Sequence, residues 1–137
     1  QSDLLTTHVD LMATAAEIAE TEIPIKSDGI SILPTLLGKS QKVKHDFIYF
    51  EIYEGPFQQS VRVGDWKGYR RGLKDPVELY DLSKDPSEKN NIADKHPDVA
   101  RNLAGILVKQ HAPSPHFTAP NHFTKKARKR RRKESGM

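Results

Sequence analysis

Residues 59–71, QSVRVGDWKGYRR, decide the fold. Residues 59–64 alternate apolar and polar side chains, and 66–71 resume after only Gly64-Asp65, the spacing of a tight antiparallel turn. Upstream, residues 47–53 (FIYFEIY) are aromatic and β-branched and read as a strand, closed by the Gly55-Pro56 turn. Downstream, 77–82 (VELYDL) supplies a fourth strand. Short strands this close predict an antiparallel meander of about four strands, which still needs a cover for its apolar face. The cover is a helix at about 97–110. Pro97 suits its first position, Asp98 its positive end, and Val99, Leu103, Ile106 and Leu107 form its apolar stripe. The fold class expected is therefore α+β.

Before the sheet, residues 8–20 place Val9, Met12, Ala16 and Ala19 at helical spacing, with Pro24 as the stop. Residues 28–37 (DGISILPTLL) open on an Asp-Gly turn and form a short apolar segment broken by Pro34. Residues 113–137 are Pro-rich and then basic without periodicity, and are expected to be disordered.

The chain has 137 residues, enough for one ordinary domain but not comfortably two. No apolar run approaches the roughly 18 residues of a membrane span. Cysteine is absent, which excludes a disulfide framework, a Cys zinc site and a Cys nucleophile. The net charge of +4 hides two regions. Residues 125–133 (KKARKRRRK) hold 8 of the 22 basic residues, and without 125–137 the rest has 14 basic against 17 acidic residues. A mildly acidic body thus carries a basic arm.

Candidate chemistry is sparse. None of the six histidines sits in an HxxxH or HExxH spacing. His8 and Asp10 are two apart on a helix, so they point to different faces and read as polar residues at a helix start. On the first strand, alternation sets Ile48, Phe50 and Ile52 against Glu51 and Tyr53. With the Ile/Phe face in the core, Glu51 and Tyr53 face solvent or a ligand. Glu54 follows at the turn and Arg62 lies on the neighbouring strand; Lys and Arg on sheet faces ordinarily meet water.

The order of phrases adds more. THVDLMATAAEIAE followed by SDGISILPTLLG resembles the sulfatase pattern of a helix preceding a D-G-x-S-L-x-P-x-L segment. HDFIYFEIYEG, SVRVGDWKGYRRG and VELYDLSKDPSEKNNIADKHPDV resemble, in sequence order, the C-terminal subdomain of formylglycine-dependent sulfatases. Val61, Arg62, Gly64, Asp65, Trp66 and Lys67 match that pattern, as do Glu78, Leu79, Tyr80, Asp81, Leu82, Asp85, Pro86, Glu88 and Asn91. The resemblance covers roughly residues 5–112. It departs at Ala13, where the family favours Pro, and at Phe50, where it favours Trp.

The resemblance implies that 1–44 is the tail end of an N-terminal α/β domain plus linker, 45–112 the C-terminal subdomain and 113–137 a tail. The first helix would then belong to a missing N-terminal sulfatase domain, the chain's implied partner. The implied parent reaction is hydrolysis of a sulfate ester, in which a hydrated formylglycine aldehyde attacks sulfur beside calcium. No C/S-x-P-x-R nucleophile motif occurs here, so the chain itself is expected to complete the fold and wall the substrate cleft, with Glu51, Tyr53, Glu54 and Arg62 as cleft candidates. Export to the periplasm or beyond is implied in the same way. A different class stays open: a small non-catalytic α+β module whose polybasic arm, 125–133, binds nucleic acid or another polyanion.

Overall fold

The computed structural model describes residues 2–23, 25–53 and 56–117. The expected disorder of 113–137 therefore falls mostly outside the described residues. The chain divides into two compact units, residues 1–48 and 49–137.

In the first unit, α1 (Asp10–Ile18) is followed by the four-residue α2 (Leu33–Leu36), which Pro34 opens as one of its first residues. Pro24 is not the stop of α1. The helix ends at Ile18, and Glu20 takes a left-handed φ of 50° while the Thr21 amide bonds back to the Ala16 carbonyl. The buried face also differs from the expected Val9/Met12/Ala16/Ala19 stripe. Asp10, Ala13 and Thr14 are buried, whereas Leu11, Met12 and Ile18 are exposed.

The cause is the 27–32 segment, which lies against the helix start. A Cβ on Gly29 would collide with the Val9 carbonyl oxygen and stand 3.1 Å from the Asp10 amide nitrogen. Only glycine permits that approach. Two side chains of α1 then take up the segment's amides: Asp10 Oδ1 accepts from Ile30 (3.0 Å) and Thr14 Oγ1 from Ile32 (3.1 Å). Small and polar residues face the segment because backbone, not apolar side chains, packs there.

The second unit is the expected α+β arrangement. Strands β1 (Ile48–Ile52), β2 (Gln58–Val63), β3 (Trp66–Arg70) and β4 (Glu78–Asp81) form one antiparallel sheet in the order β1-β2-β3-β4. Each lies within two residues of its expected bounds. Gly64, with φ of 56°, makes the β2–β3 turn, and the register pairs Val63 with Trp66 and Gln59 with Arg70. The covering helix α3 (Pro97–Gln110) packs on β2 and β3. Leu103 and Leu107 are buried from its stripe, beside Val61 and Leu79 of the sheet. Burying a leucine of this kind contributes about 2 kcal/mol. Gly68 lies under the helix, where an added Cβ would be 3.1 Å from Leu103 Cβ.

The loop from β4 to α3 is built by the D-P-x-E-x-x-N phrase. Asp85 Oδ2 accepts from the Lys89 and Asn90 amides at 2.9 and 2.7 Å. Asn91 Oδ1 accepts from Leu79 N at 3.0 Å while the Ile92 amide donates to the Leu79 carbonyl, so this loop lies along β4. Glu88 holds Lys67 at 2.6 Å, and Trp66 packs on His96, the residue before α3, at 5.1 Å. Among the described residues, no helix is long and apolar enough to cross a membrane.

Candidate functional site

The most connected polar site of the second unit lies where β1, β2 and β3 meet the C-terminal end of α3. Strand alternation puts Tyr49 and Glu51 on one face of β1. Gln59 of β2 and Arg70 of β3 are directly opposed in the register, and both are buried. His111 follows the last helical residue and brings the helix end to the sheet.

Glu51 is the hub. One oxygen accepts from the Tyr49 hydroxyl, from Gln59 Nε2 at 2.9 Å and from His111 Nδ1 at 2.6 Å. The other accepts from the Tyr53 hydroxyl at 2.9 Å. A carboxylate only accepts, so His111 carries its proton on Nδ1. Gln59 extends the network both ways: its Nε2 also faces the Tyr49 oxygen (2.6 Å) and the Leu107 carbonyl (3.3 Å), and its Oε1 accepts from Arg70 Nε at 2.6 Å. Every buried side-chain polar atom among the described residues has a partner.

The electrostatics follow. Burial alone would raise the Glu51 pKa, but the bonds from Tyr49, His111, Gln59 and Tyr53 outweigh it and hold the carboxyl below its usual range. Burial pushes the Tyr49 hydroxyl up, and its bond to Glu51 pushes it further. Burial lowers Arg70, against the pull of Tyr49, Asp75 and Glu51. A carboxylate with four donors is a poor proton acceptor. Its chemistry here is positioning: it ties β1, β2 and the helix end together.

The expected faces of β1 hold at Ile48, which is buried, and fail at Phe50 and Ile52. Tyr49 and Glu51 lie on the helix side, with the Glu51 side chain only 11% exposed, whereas Phe50 and Ile52 are 39% and 50% exposed. Polar residues won the covered face because Gln59, Arg70 and His111 supply partners that single-strand alternation cannot see. Tyr53 is half-buried, with its ring 5.0 Å from Phe57 and 5.8 Å from Phe117. Glu54 lies outside the described residues. Arg62 is exposed and donates to the Gly64 carbonyl at 2.9 Å. Three residues along β2 from Gln59, it is on the opposite face, so the structure gathers Glu51 and Tyr53 but not Arg62.

A second polar centre, in the first unit, was hidden from local sequence. Asp10 accepts from Thr7 N (2.8 Å), Ile30 N (3.0 Å) and His45 Nε2 (2.8 Å). Burial opposes its charge, yet these bonds lower its pKa. Its partner is not the neighbouring His8 of the HxD pair but a histidine 35 residues away. The aspartate binds the helix start, the Gly29 segment and the chain before β1 into one unit.

The implied calcium and formylglycine do not fit these residues. Among those described, no three His, Cys, Asp or Glu side chains are gathered to hold a metal. The sequence also has neither cysteine nor a serine in C/S-x-P-x-R.

The comparisons with known proteins agree with the phrases. The model of the N-sulphoglucosamine sulphohydrolase C-terminal family matches residues 1–112. The Delta 4,5-hexuronate-2-O-sulfatase of Bacteroides thetaiotaomicron is 32% identical over 104 residues, covering 70% of this chain and 21% of that protein. The N-acetylgalactosamine-6-O-sulfatase of the same organism is 31% identical over 121 residues, covering 75% of this chain and 23% of that one. The solved structure of a 2-O GAG sulfatase superposes with a TM-score of 0.56 at 34% identity, over 71% of this chain and 22% of its own. This chain thus spans between a fifth and a quarter of the length of these relatives. The phrases, the sheet under its helix and the match over residues 1–112 converge: the chain belongs to the N-sulphoglucosamine sulphohydrolase C-terminal family of the sulfatases.

Proposed function

We infer that this chain is the C-terminal part of a sulfuric ester hydrolase, completing the enzyme's fold and walling one side of its substrate cleft. The observation that carries this reading is where the family phrases are spent. Asp10, Gly29, Trp66, Lys67, Gly68, Glu88 and Asn91 all fasten one element to another. Formylglycine and calcium belong, in this reading, to an N-terminal catalytic domain, and no catalytic step is assigned to these 137 residues. The substrate class is a sulfate ester on a sugar, supported by relatives named for hexuronate and N-acetylgalactosamine sulfates.

Within that reading, Tyr53 at the end of β1 faces the cleft, and Glu54, which follows it in the sequence, is assigned to the same wall. Glu51 acts through Tyr53, whose hydroxyl it holds. Arg62, on the other face, belongs to the proposal only as a second wall.

The test is made on the gene. The reading frame upstream of Gln1 should encode C/S-x-P-x-R within a few hundred residues, and the whole product should hydrolyse an aryl sulfate with calcium. The 137-residue chain alone should give no turnover above buffer. An upstream frame without the motif, or turnover by the chain alone that survives repurification, sinks the reading.

A further inference from the structure

Two connections of the sheet differ in length. Gly64-Asp65 alone joins β2 to β3, whereas residues 71–77 join β3 to β4. The longer loop is turned back by a bond from the Asp75 amide to the Gly72 carbonyl, 3.2 Å. The β4–α3 loop comes alongside, because Asn91 is fastened to Leu79. A cavity of about 430 Å³ lies between the two loops, lined by Arg71, Asp75, Pro76, Val77, Glu78 and Asn91. Small-molecule sites ordinarily enclose about 300–1,000 Å³.

The polar walls are held in place from outside the cavity. Arg71 Nε donates to the Tyr69 hydroxyl at 3.3 Å, and its guanidinium carbon stands 6.0 Å from the centre of the Tyr69 ring. Tyr69 is fixed in turn by donating to Gln58 Oε1 at 2.8 Å. The terminal nitrogens of Arg71 bond nothing among the described residues and are left to donate. Glu78 accepts the Tyr80 hydroxyl on Oε2, which leaves Oε1 to accept. Asn91 Oδ1 is taken by the amides of Leu79 and Ala93, both at 3.0 Å, so Nδ2 is the group left to donate. Pro76 and Val77 add apolar surface.

The cavity therefore offers donors and an acceptor together, beside an apolar wall. A hydroxyl donates and accepts at once, so neighbouring hydroxyls on a carbon ring can satisfy both kinds of group. A second fixed negative charge would be opposed, because Asp75 and Glu78 set two carboxylates against the one guanidinium of Arg71. Arg70 feels the charge of Asp75 but is buried against Gln59 and does not line the cavity. Nor are three His, Cys, Asp or Glu side chains gathered for a metal among the described residues.

We propose that this cavity between the β3–β4 and β4–α3 loops binds an uncharged pyranose unit of a polysaccharide. That the polymer is the one the enzyme acts on, held here at a unit without sulfate, rests on the sulfatase reading; the sugar chemistry of the cavity does not.

The test titrates the full 137-residue chain with methyl β-D-galactopyranoside, methyl β-D-glucopyranoside, the 6-sulfate of each, and sorbitol as an open-chain polyol. At least one neutral glycoside should move the NMR signals of the Asp75, Val77 and Glu78 amides and of the Asn91 side-chain amide above all others. Its 6-sulfate should bind about tenfold more weakly or worse, and sorbitol should bind more weakly too. Affinity for the neutral glycoside should stay level between about 50 and 200 mM salt, since screening acts on charge. Arg71→Met, at an exposed side chain, should weaken binding about tenfold with Tm nearly level. Asn91→Asp keeps Oδ1 for the Leu79 and Ala93 amides, removes the Nδ2 donor and should weaken binding by a similar factor. Failure of both neutral glycosides to move these signals overturns the site. Equal or tighter binding of the sulfated form overturns the uncharged ligand, and equal binding of sorbitol overturns the ring. Unchanged affinity in both variants puts the binding elsewhere and overturns the assignment. None of these readouts is turnover, so each can fail while the sulfatase reading stands, and that reading can fail in the aryl sulfate assay while these hold.

Discussion

His111 Nδ1 stands 2.6 Å from a Glu51 carboxylate oxygen, across 60 residues of chain. The pair joins the residue just past α3 to the edge strand of the sheet, and both side chains are largely buried, 19% and 11% exposed. Around it, Tyr49, Tyr53 and Gln59 saturate the carboxylate. A buried charge with full hydrogen bonding is tolerated; the same charge with donors removed is costly.

The first prediction is acid sensitivity. The Glu51 carboxyl is lowered in the folded chain, despite burial, by its four donors. Below its usual value of 4.5 the unfolded chain takes up the proton first. Stability is therefore present above about pH 4.5 and lost as pH falls through the folded pKa. Asp10 has the same sign, and Asp81, held at about 2 by Lys84 and Ser83, extends the window downward. Thermal melts between pH 6 and 3 should show a falling Tm. Glu51→Gln should cost about 1–3 kcal/mol at pH 6 and flatten that fall. An equally steep profile in the variant would remove Glu51 from the account.

The second concerns the contact of Gly68 with Leu103. A Cβ at Gly68 would stand 3.1 and 3.2 Å from Leu103 Cβ and Cδ1 and 3.3 Å from Val77 Cγ1. Gly68→Ala should cost about 1–3 kcal/mol by overpacking, and Leu103→Ala about 2–5 kcal/mol. Made together they should cost somewhat less than the sum, because the truncation removes the 3.2 Å contact with Cδ1 while the 3.1 Å contact with Cβ stays. Denaturant unfolding of the four chains measures the coupling, and strict additivity would show that the two do not press on each other.

The third sets two glycines against each other. At Gly29 the obstacle is the Val9 backbone, which cannot swing aside as a side chain does. Gly29→Ala should open the 27–32 segment, read as loss of hydrogen-exchange protection at the Ile30 and Ile32 amides, which bond Asp10 and Thr14. Gly105 lies inside α3 with nothing within 4 Å of an added Cβ. Gly105→Ala should stabilise by up to about 1 kcal/mol, since alanine costs less backbone entropy in a helix. A destabilised Gly105→Ala would mean that α3 is crowded on that face.

The strands were legible because each carries its own signal: alternation in 59–64, the Gly64-Asp65 turn, and aromatic and β-branched residues in 47–53. The helix stripe of Leu103 and Leu107 was legible for the same reason. Face assignments were not. Alternation says that Tyr49 and Glu51 share a side, but the helix side is decided by Gln59, Arg70 and His111, which are remote in sequence. Asp10 shows the same limit. Next to His8 it reads as a helix-start polar residue, and only the fold brings His45 to it. The Gly29 approach was half visible: the Asp-Gly turn was evident, the backbone beneath it was not.

The last prediction tests the cleft role of β1's end. Tyr53 has two separable parts. Its hydroxyl serves Glu51 and the Ala112 carbonyl, while its ring lies against Phe57 and Phe117 and remains partly open. A ring that stacks on a sugar is kept by Tyr53→Phe and lost in Tyr53→Ala. In the whole enzyme, Tyr53→Phe, which keeps the ring but loses the bond by which Glu51 places it, should lower kcat/KM less than Tyr53→Ala, which should lower it about tenfold, about 1.4 kcal/mol of transition-state binding. Glu54→Gln, removing a carboxylate that accepts from sugar hydroxyls, should have an effect of similar size. A purely structural role gives another pattern: Tm falls in Tyr53→Ala while kcat/KM of the folded enzyme stays level. Level kinetics in both Tyr53→Ala and Glu54→Gln would leave Tyr53 with its contacts to Glu51, Phe57, Ala112 and Phe117 alone.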